Sequence, residues 1–263
     1  MFADLANALH QQCRWSKSSS HLGGDSAVLL GRDVDNGGNG MLERIGKPEY
    51  ASLSEHSAEM ILLLEQILQN NGDPQIAEVG VGIGATSVKI AEKLANRGQL
   101  YLFDFNHNVA QLGDDLKALG FTNLRLHGSS KHTYDSYTWQ LLKLAKFHQR
   151  LSPHGFFDLI YLDGAHTFIH DVGSTALCKK LVKPGGYLLM DDYNWTFNTS
   201  PTMNPEKMPQ VATWYSQEQL ETPHIKLVCE ALLDGDPEFE RDYLDGRVSP
   251  RRALYRKRAR QQS

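Results

Sequence analysis

The chain has 263 residues, of which 41% are hydrophobic and 22% charged, enough for one large domain and far beyond a disulfide-stapled mini-fold. Its formal net charge of -4 offers no global attraction to nucleic acid or to an anionic membrane. Cys13, Cys178 and Cys229 are far apart and form no CxxC pair, which argues against a thiolate zinc site or a disulfide framework and for a reducing compartment. The first residues, MFADLANALHQQCRW, lack a basic start followed by an apolar run, and no membrane-length apolar stretch occurs, so a cytoplasmic protein is expected.

In chain order, Phe2, Leu5, Leu9 and Trp15 mark a short amphipathic stretch, followed by a Gly/Ser/Asn/Asp-rich segment over 16–48 that predicts a long flexible loop or working lid. From Ser54 to Asn70, Met60, Ile61, Leu63, Leu64, Ile67 and Leu68 recur at helical spacing. Strands are then predicted at 75–79, 99–103, 123–127, 157–162, 186–190 and 225–230, with 252–258 supplying a last one. Helical runs at 86–97, 137–149, 168–182 and 205–220 separate most of them. Strand alternating with helix predicts an α/β, Rossmann-like, doubly wound and mostly parallel sheet of seven strands, with an N-terminal helical cap or lid. The expected division is a cap, lid and amphipathic helix over 1–71 and the sheet domain over 72–263.

The first predicted strand runs into IAEVGVGIGATSVKIAEKL, which sets Gly80, Gly82 and Gly84 at alternate positions before a helix. Glycines there let a ligand approach the backbone, and the helix start behind them offers free N–H groups. In a doubly wound sheet the first strand-to-helix turn is the usual nucleotide site. The run lacks the GxGxxG spacing that suits a pyrophosphate, and no phosphate-binding lysine follows it. Asp104, ending the second strand in YLFDF, is placed to accept hydrogen bonds from both hydroxyls of a ribose. Asp163 ends the strand of FDLIYLDGAH, and Asp191 and Asp192 end that of GGYLLMDDY, so three carboxylates reach the same sheet edge. Three like charges in a partly desolvated cleft repel by several kcal/mol, and a divalent ion, most simply Mg2+, would relieve them.

The acidic strand end beside the ExGxGxG turn resembles the class I S-adenosylmethionine-dependent methyltransferases. Asp163 precedes Asp191 by 28 residues and Asp192 by 29. Those intervals resemble the metal site of the catechol O-methyltransferases and of the macrocin-type sugar O-methyltransferases, over about residues 72–196. The Asp191-Asp192 pair matches the sugar and macrolide enzymes, where the catechol enzymes have Asp-Asn. The resemblance implies that Glu78 faces the amino-acid end of S-adenosylmethionine, that Gly80, Gly82 and Gly84 line its homocysteine part, that Asp104 holds its ribose and that Ser129 lies near its adenine. It implies metal ligation by Asp163, Asp191 and Asp192. It also makes His166 the general base, since an imidazole can accept a proton near neutral pH; the alternative for His166 is to cap the helix that follows. His170 is expected to be structural. Trp195, Phe197, Trp214 and Tyr215 either stack on the acceptor or pack their loop.

The expected activity is metal-dependent O-methylation of a small-molecule hydroxyl on a sugar, a glycosylated natural product or a catechol-like ring. Expected partners are that acceptor and further copies of the chain, not a membrane. Two other readings stay open. One is methylation of nucleic acid or another anionic acceptor, drawing on the six basic residues of RRALYRKRARQQS. The other is a Rossmann protein that binds a nucleotide without chemistry.

Overall fold

A computed structural model describes residues 40–259 apart from 133, 153, 247 and 248. The amphipathic stretch and most of the loop expected over 16–48 lie outside the described residues.

Seven strands form one sheet in the order β3-β2-β1-β4-β5-β7-β6. They are β1 (Gln75–Val79), β2 (Gln99–Phe105), β3 (Leu124–Ser129), β4 (Phe157–Leu162), β5 (Val182–Met190), β6 (Phe239–Asp242) and β7 (Ala253–Lys257). The first five are parallel, and β7 inserts antiparallel between β5 and β6. Strand order reverses between β1 and β4, which opens a crevice at their carboxyl ends.

Side chains alternate between two cores because successive strand residues point to opposite faces. Ile76, Leu100, Leu102, Leu159 and Tyr161 pack on one face with α1 (Ala58–Asn70), α2 (Ala85–Leu94) and α3 (Asn106–Ala118). Ala77, Val79, Phe103, Ile160 and Leu162 pack on the other with α4 (Tyr137–Leu151), α5 (Phe168–Leu181) and α6 (His224–Leu232). The doubly wound architecture expected from the alternating pattern is therefore present. Among the described residues no helix is long and apolar enough to cross a membrane.

Several segments differ from the sequence-based expectation. Ile225–Glu230 was predicted as a strand but lies within α6, where Ile225, Val228 and Cys229 are buried at helical spacing. The sixth strand is Phe239–Asp242 instead. Helix 205–220 is broken into two short pieces, Val211–Trp214 and Gln217–Glu221, the second starting with a Ser216 capping box. Residues 41–48, predicted as loop, are fixed to the fold: Met41 is buried in the first core and the Leu42 N–H donates to Asp115 Oδ2 at 2.9 Å.

Candidate active site

The glycine turn leaves β1 at the crevice. Gly80 has φ of 88°, and a Cβ built on it would lie 1.9 Å from the Asp163 carbonyl oxygen, so β1 and β4 approach here as closely as backbone allows. Gly82 has φ of 53°, but a Cβ there would meet nothing within 4 Å. Gly80 is thus demanded by the protein itself, whereas the space over Gly82 is left open for something else. Gly84 is the N-cap of α2, with Leu42 and Leu112 lying against it.

Asp104 ties this turn to the next helix. Its Oδ2 accepts from the Val81 N–H at 2.9 Å, and its Oδ1 accepts from the Phe105 N–H at 2.6 Å and from Asn108 Nδ2 at 2.9 Å. A carboxylate offers about four acceptor positions, so these bonds leave capacity for a hydroxyl of a bound ligand. Ser129 is buried, and its hydroxyl donates to the Asp104 carbonyl oxygen at 3.3 Å, which joins β3 to the site through backbone. Glu78 lies beneath the turn at 1% exposure and accepts from Ser87 Oγ at 2.5 Å. Burial, reinforced by the nearby Asp104 charge and opposed by the Ser87 bond, pushes the Glu78 carboxyl up to about 8.

On the other side of the β1–β4 crevice the structure brings His166, Asp163 and Asp192 together. His166 Nε2 is 3.5 Å from Asp163 Oδ1 and 3.5 Å from Asp192 Oδ2. His166 and Asp192 have φ of 54° and 50°, a left-handed conformation uncommon for residues other than glycine. Such strain costs on the order of 1–3 kcal/mol per residue and persists where surrounding structure holds it. The holder is visible: Asp171 Oδ2 accepts from the Thr167 N–H at 2.9 Å, Tyr137 OH donates to Asp171 Oδ1 at 3.3 Å, and the same hydroxyl accepts from the Ala165 N–H at 3.0 Å. Gly164 must be small because the Tyr137 hydroxyl lies 2.5 Å from where its Cβ would be. Thr167, not His166, is the N-cap residue of helix α5, and the His166 side chain lies against the two carboxylates.

Asp191 is fully buried and surrounded by donors. Oδ1 pairs with Arg252 Nε at 3.0 Å and Arg251 Nε at 3.2 Å, and Oδ2 accepts from Tyr161 OH at 2.8 Å and Arg251 Nη2 at 3.2 Å. Arg251 Nε also reaches Asp192 Oδ1 at 3.1 Å, and Arg252 Nη1 reaches Glu59 Oε2 at 2.6 Å. Burial alone would raise the Asp191 carboxyl, but Arg252 and its other partners hold it below the usual carboxylate range. For Asp163, burial, followed by the Asp191 charge and hydrogen bond and by the Asp192 charge, raises the carboxyl well above that range. The expectation of an ion held among Asp163, Asp191 and Asp192 meets a different arrangement. The carboxylates do converge, but guanidinium groups occupy both Asp191 oxygens and Asp192 Oδ1. Among the described residues no group of three or more His, Cys, Asp or Glu side chains is placed to hold a metal ion.

Two other histidines are held by the fold. His170 Nδ1 bonds Thr167 Oγ1 at 2.8 Å, and the His127 ring stacks on Phe103 at 4.6 Å between centroids. Phe197 is buried in a small cluster with Val211 and Leu220, so it packs its loop. Trp195, half-buried on that cluster, lies 6.2 Å from the His166 ring between centroids. A separate cavity of about 960 Å3, lined by Lys143, Lys146, Lys180 and Arg258, opens at the opposite end of the sheet.

A glycine turn and acidic strand end on one side of a β1–β4 crevice, in a 3-2-1-4-5-7-6 sheet with β7 antiparallel, define a class I methyltransferase fold. Residues 77–193 match the family described as Methyltransferase domain. Solved structures agree in fold. The O-methyltransferase TomG from Streptomyces achromogenes, in complex with SAM, is 16% identical with a TM-score of 0.50, over 94% of this chain and 99% of that one. An O-methyltransferase from Bacillus cereus, in complex with SAH, is 14% identical with a TM-score of 0.50, over 83% of this chain and 90% of that one. The MycE methyltransferase of mycinamycin biosynthesis, in complex with Mg and SAH, is 19% identical with a TM-score of 0.50, over 83% of this chain and 54% of that one. No curated protein matches.

Proposed function

We propose that the protein transfers the methyl group of S-adenosylmethionine to a hydroxyl oxygen of a small molecule such as a sugar, a glycosylated natural product or a catechol-like ring. The observation that carries this reading is the crevice itself: an open glycine turn with Asp104 on one wall, and His166 held between Asp163 and Asp192 on the other. The catalytic unit is placed in residues 72–263, with helix α1 of the preceding segment packed on it.

In this reading the cofactor lies over Gly82, a ribose hydroxyl bonding Asp104 and its amino-acid end nearest Glu78. Ser129 positions Asp104 through backbone. The cofactor supplies an electrophilic methyl on a sulfonium. The chain holds the acceptor hydroxyl in line with it and accepts its proton on His166 Nε2, while Asp163 and Asp192 stabilise the imidazolium that forms. The TomG and Bacillus cereus complexes support the cofactor, and both of those proteins are O-methyltransferases. Mg accompanies the cofactor in MycE, but the donors present here do not fit an ion, and no step is assigned to one. A nucleic-acid acceptor loses its main support. Arg251 and Arg252 of the basic tail face carboxylates, Lys257 is buried against the Lys179 and Val182 carbonyls, and the lysine-lined cavity is remote from His166.

Calorimetry with S-adenosylhomocysteine, against NAD and ATP as controls, tests the cofactor. The expected result is binding of S-adenosylhomocysteine alone, weakened by about 1.5–3 kcal/mol in Asp104→Ala, the contribution of a hydrogen bond to a charged group. Selective binding of NAD, or an Asp104→Ala variant as tight as wild type, contradicts the assignment. Release of S-adenosylhomocysteine in the presence of hydroxylated acceptors separates an enzyme from a binding protein.

A second prediction concerns protons. With its carboxyl raised to about 8 by burial, Glu78 is mostly protonated at pH 7. Because the folded chain holds this proton more tightly than the unfolded one, the contribution of Glu78 to stability is full below the ordinary value of 4.5 and is lost as pH rises through about 8. A cofactor ammonium beside it favours the charged form, so binding at pH 7 is expected to release a proton. The calorimetric enthalpy should then vary with the ionisation enthalpy of the buffer for wild type and become buffer-independent in Glu78→Gln.

A further inference from the structure

We propose that Arg251 is the resident cation of the acidic cluster, so that the site works without a divalent ion. The proposal rests on the methyl-transfer reading only for its catalytic consequence. The charge balance is a property of the folded chain alone.

Oxygen capacity comes first. Asp191 has about four acceptor positions, and the structure shows four contacts to them, from Tyr161 OH, Arg252 Nε and both Arg251 Nε and Nη2. Arg251 thus clasps both oxygens of Asp191 and reaches across to Asp192 Oδ1 at 3.1 Å. Mg2+ requires oxygens at about 2.0–2.1 Å in near-octahedral array, and a guanidinium on the same oxygens excludes it. Arginine keeps its charge at every accessible pH, so its compensation does not titrate away.

The backbone leaves Arg251 no easy alternative. Met190 pairs with Ala253 in the antiparallel β5–β7 register, which sets residues 251 and 252 opposite 192 and 191. The Tyr193 N–H donates to the Arg251 carbonyl at 2.7 Å, and Asn194 Nδ2 donates to the Pro250 carbonyl at 2.7 Å. Ser249 Oγ accepts from the Arg251 and Arg252 N–H groups at 3.3 and 3.0 Å and donates to Glu59 Oε1 at 2.9 Å. Helix α1, the β5 end and the β7 start therefore all fix this loop. Arg252, 9% exposed, is the buried half of the pair, whereas the Arg251 side chain is 47% exposed at the cleft. Arg251 is a positioning residue: it holds Asp192, which in turn faces His166, and it places a fixed positive charge beside the oxygen that gives up its proton.

The experiment measures Mn2+ and Mg2+ binding to the full chain by calorimetry and by the Mn2+ paramagnetic resonance signal, with melting temperature recorded in Mg2+ and in EDTA. Wild type is expected to show no saturable binding at millimolar ion and the same melting temperature in both. Arg251→Gln, of similar length but neutral, should melt lower and gain saturable binding, while Arg251→Lys, which keeps the charge but not the two-point clasp, should gain less ion binding than Arg251→Gln. Arg251→Ala serves as a second neutral variant should the glutamine fail to fold. Saturable ion binding by wild type that is lost in Asp192→Asn overturns the proposal, and so does an Arg251→Gln or Arg251→Ala protein that folds yet gains no ion binding. Initial rates of S-adenosylhomocysteine release should be unchanged by EDTA in wild type. If the chain transfers no methyl group, that rate vanishes while the ion-binding results stand, so the two failures are distinguishable.

Discussion

Gly80→Ala is expected to lose most of the folded protein, whereas Gly82→Ala should fold and lose its cofactor. Both glycines have positive φ, at 88° and 53°, so each alanine incurs a left-handed penalty of about 1–2 kcal/mol. They differ in what the new methyl group meets. At Gly80 it would stand 1.9 Å from the Asp163 carbonyl oxygen, a backbone atom in a central strand pair, and relief requires β1 and β4 to separate. Such overpacking adds about 1–3 kcal/mol or more, so the sum is a large share of the roughly 5–15 kcal/mol that stabilises a domain. At Gly82 the methyl enters open space, and only strain remains. Thermal melts and calorimetry with S-adenosylhomocysteine read the two effects. A drop of about 10 °C or complete loss of soluble protein is expected for Gly80→Ala, and a drop of a few degrees with strongly weakened binding for Gly82→Ala. If Gly82→Ala binds as wild type does, the open space over the turn is not where the ligand lies.

The parts of this molecule that could be read from the sequence are those where pattern and local geometry agree. β1 and β4 were placed at their observed bounds because each is a short apolar run that ends in a turn glycine or an aspartate. Ile225–Glu230 misled because a run of six residues with Ile, Leu, Val and Cys fits a buried strand as well as a buried helix turn, and length alone separates them. Helix α3 went unnamed because its polar composition leaves only Val109, Leu112, Gly113 and Leu116 buried. The convergence of Asp163, Asp191 and Asp192 at one sheet edge was legible from their positions at strand ends. Their neutralisation was not, since Arg251 and Arg252 lie about sixty residues further on in a stretch that reads as a solvated basic tail. Only the antiparallel pairing of β7 with β5 turns that distance into contact. A basic pair at the start of the last predicted strand was the available signal. Asp171 and Tyr137 were missed for a similar reason: their role is to hold the backbone of residues 165–167, which no motif of reactive side chains reveals.

Replacing His166 by Asn is expected to lower the turnover number by about a hundredfold or more, the span of general acid–base catalysis, while cofactor affinity stays the same. Asparagine is the informative substitution because it tolerates positive φ better than most residues, and His166 has φ of 54°. It keeps an N–H donor beside Asp163 and Asp192 but cannot take up a proton. A fall in rate therefore reports the lost base and not a collapsed turn, which Asp171 and Tyr137 continue to hold. The residual rate should rise with pH as hydroxide replaces the imidazole. A histidine that served only to pair the two carboxylates, 3.5 Å away on either side, would show the opposite result. The melting temperature would fall with the unrelieved repulsion, and turnover by the folded fraction would remain near wild type. Recording the melt and the pH profile on one His166→Asn preparation separates these outcomes, and unchanged turnover at pH 7 removes His166 from the proton transfer.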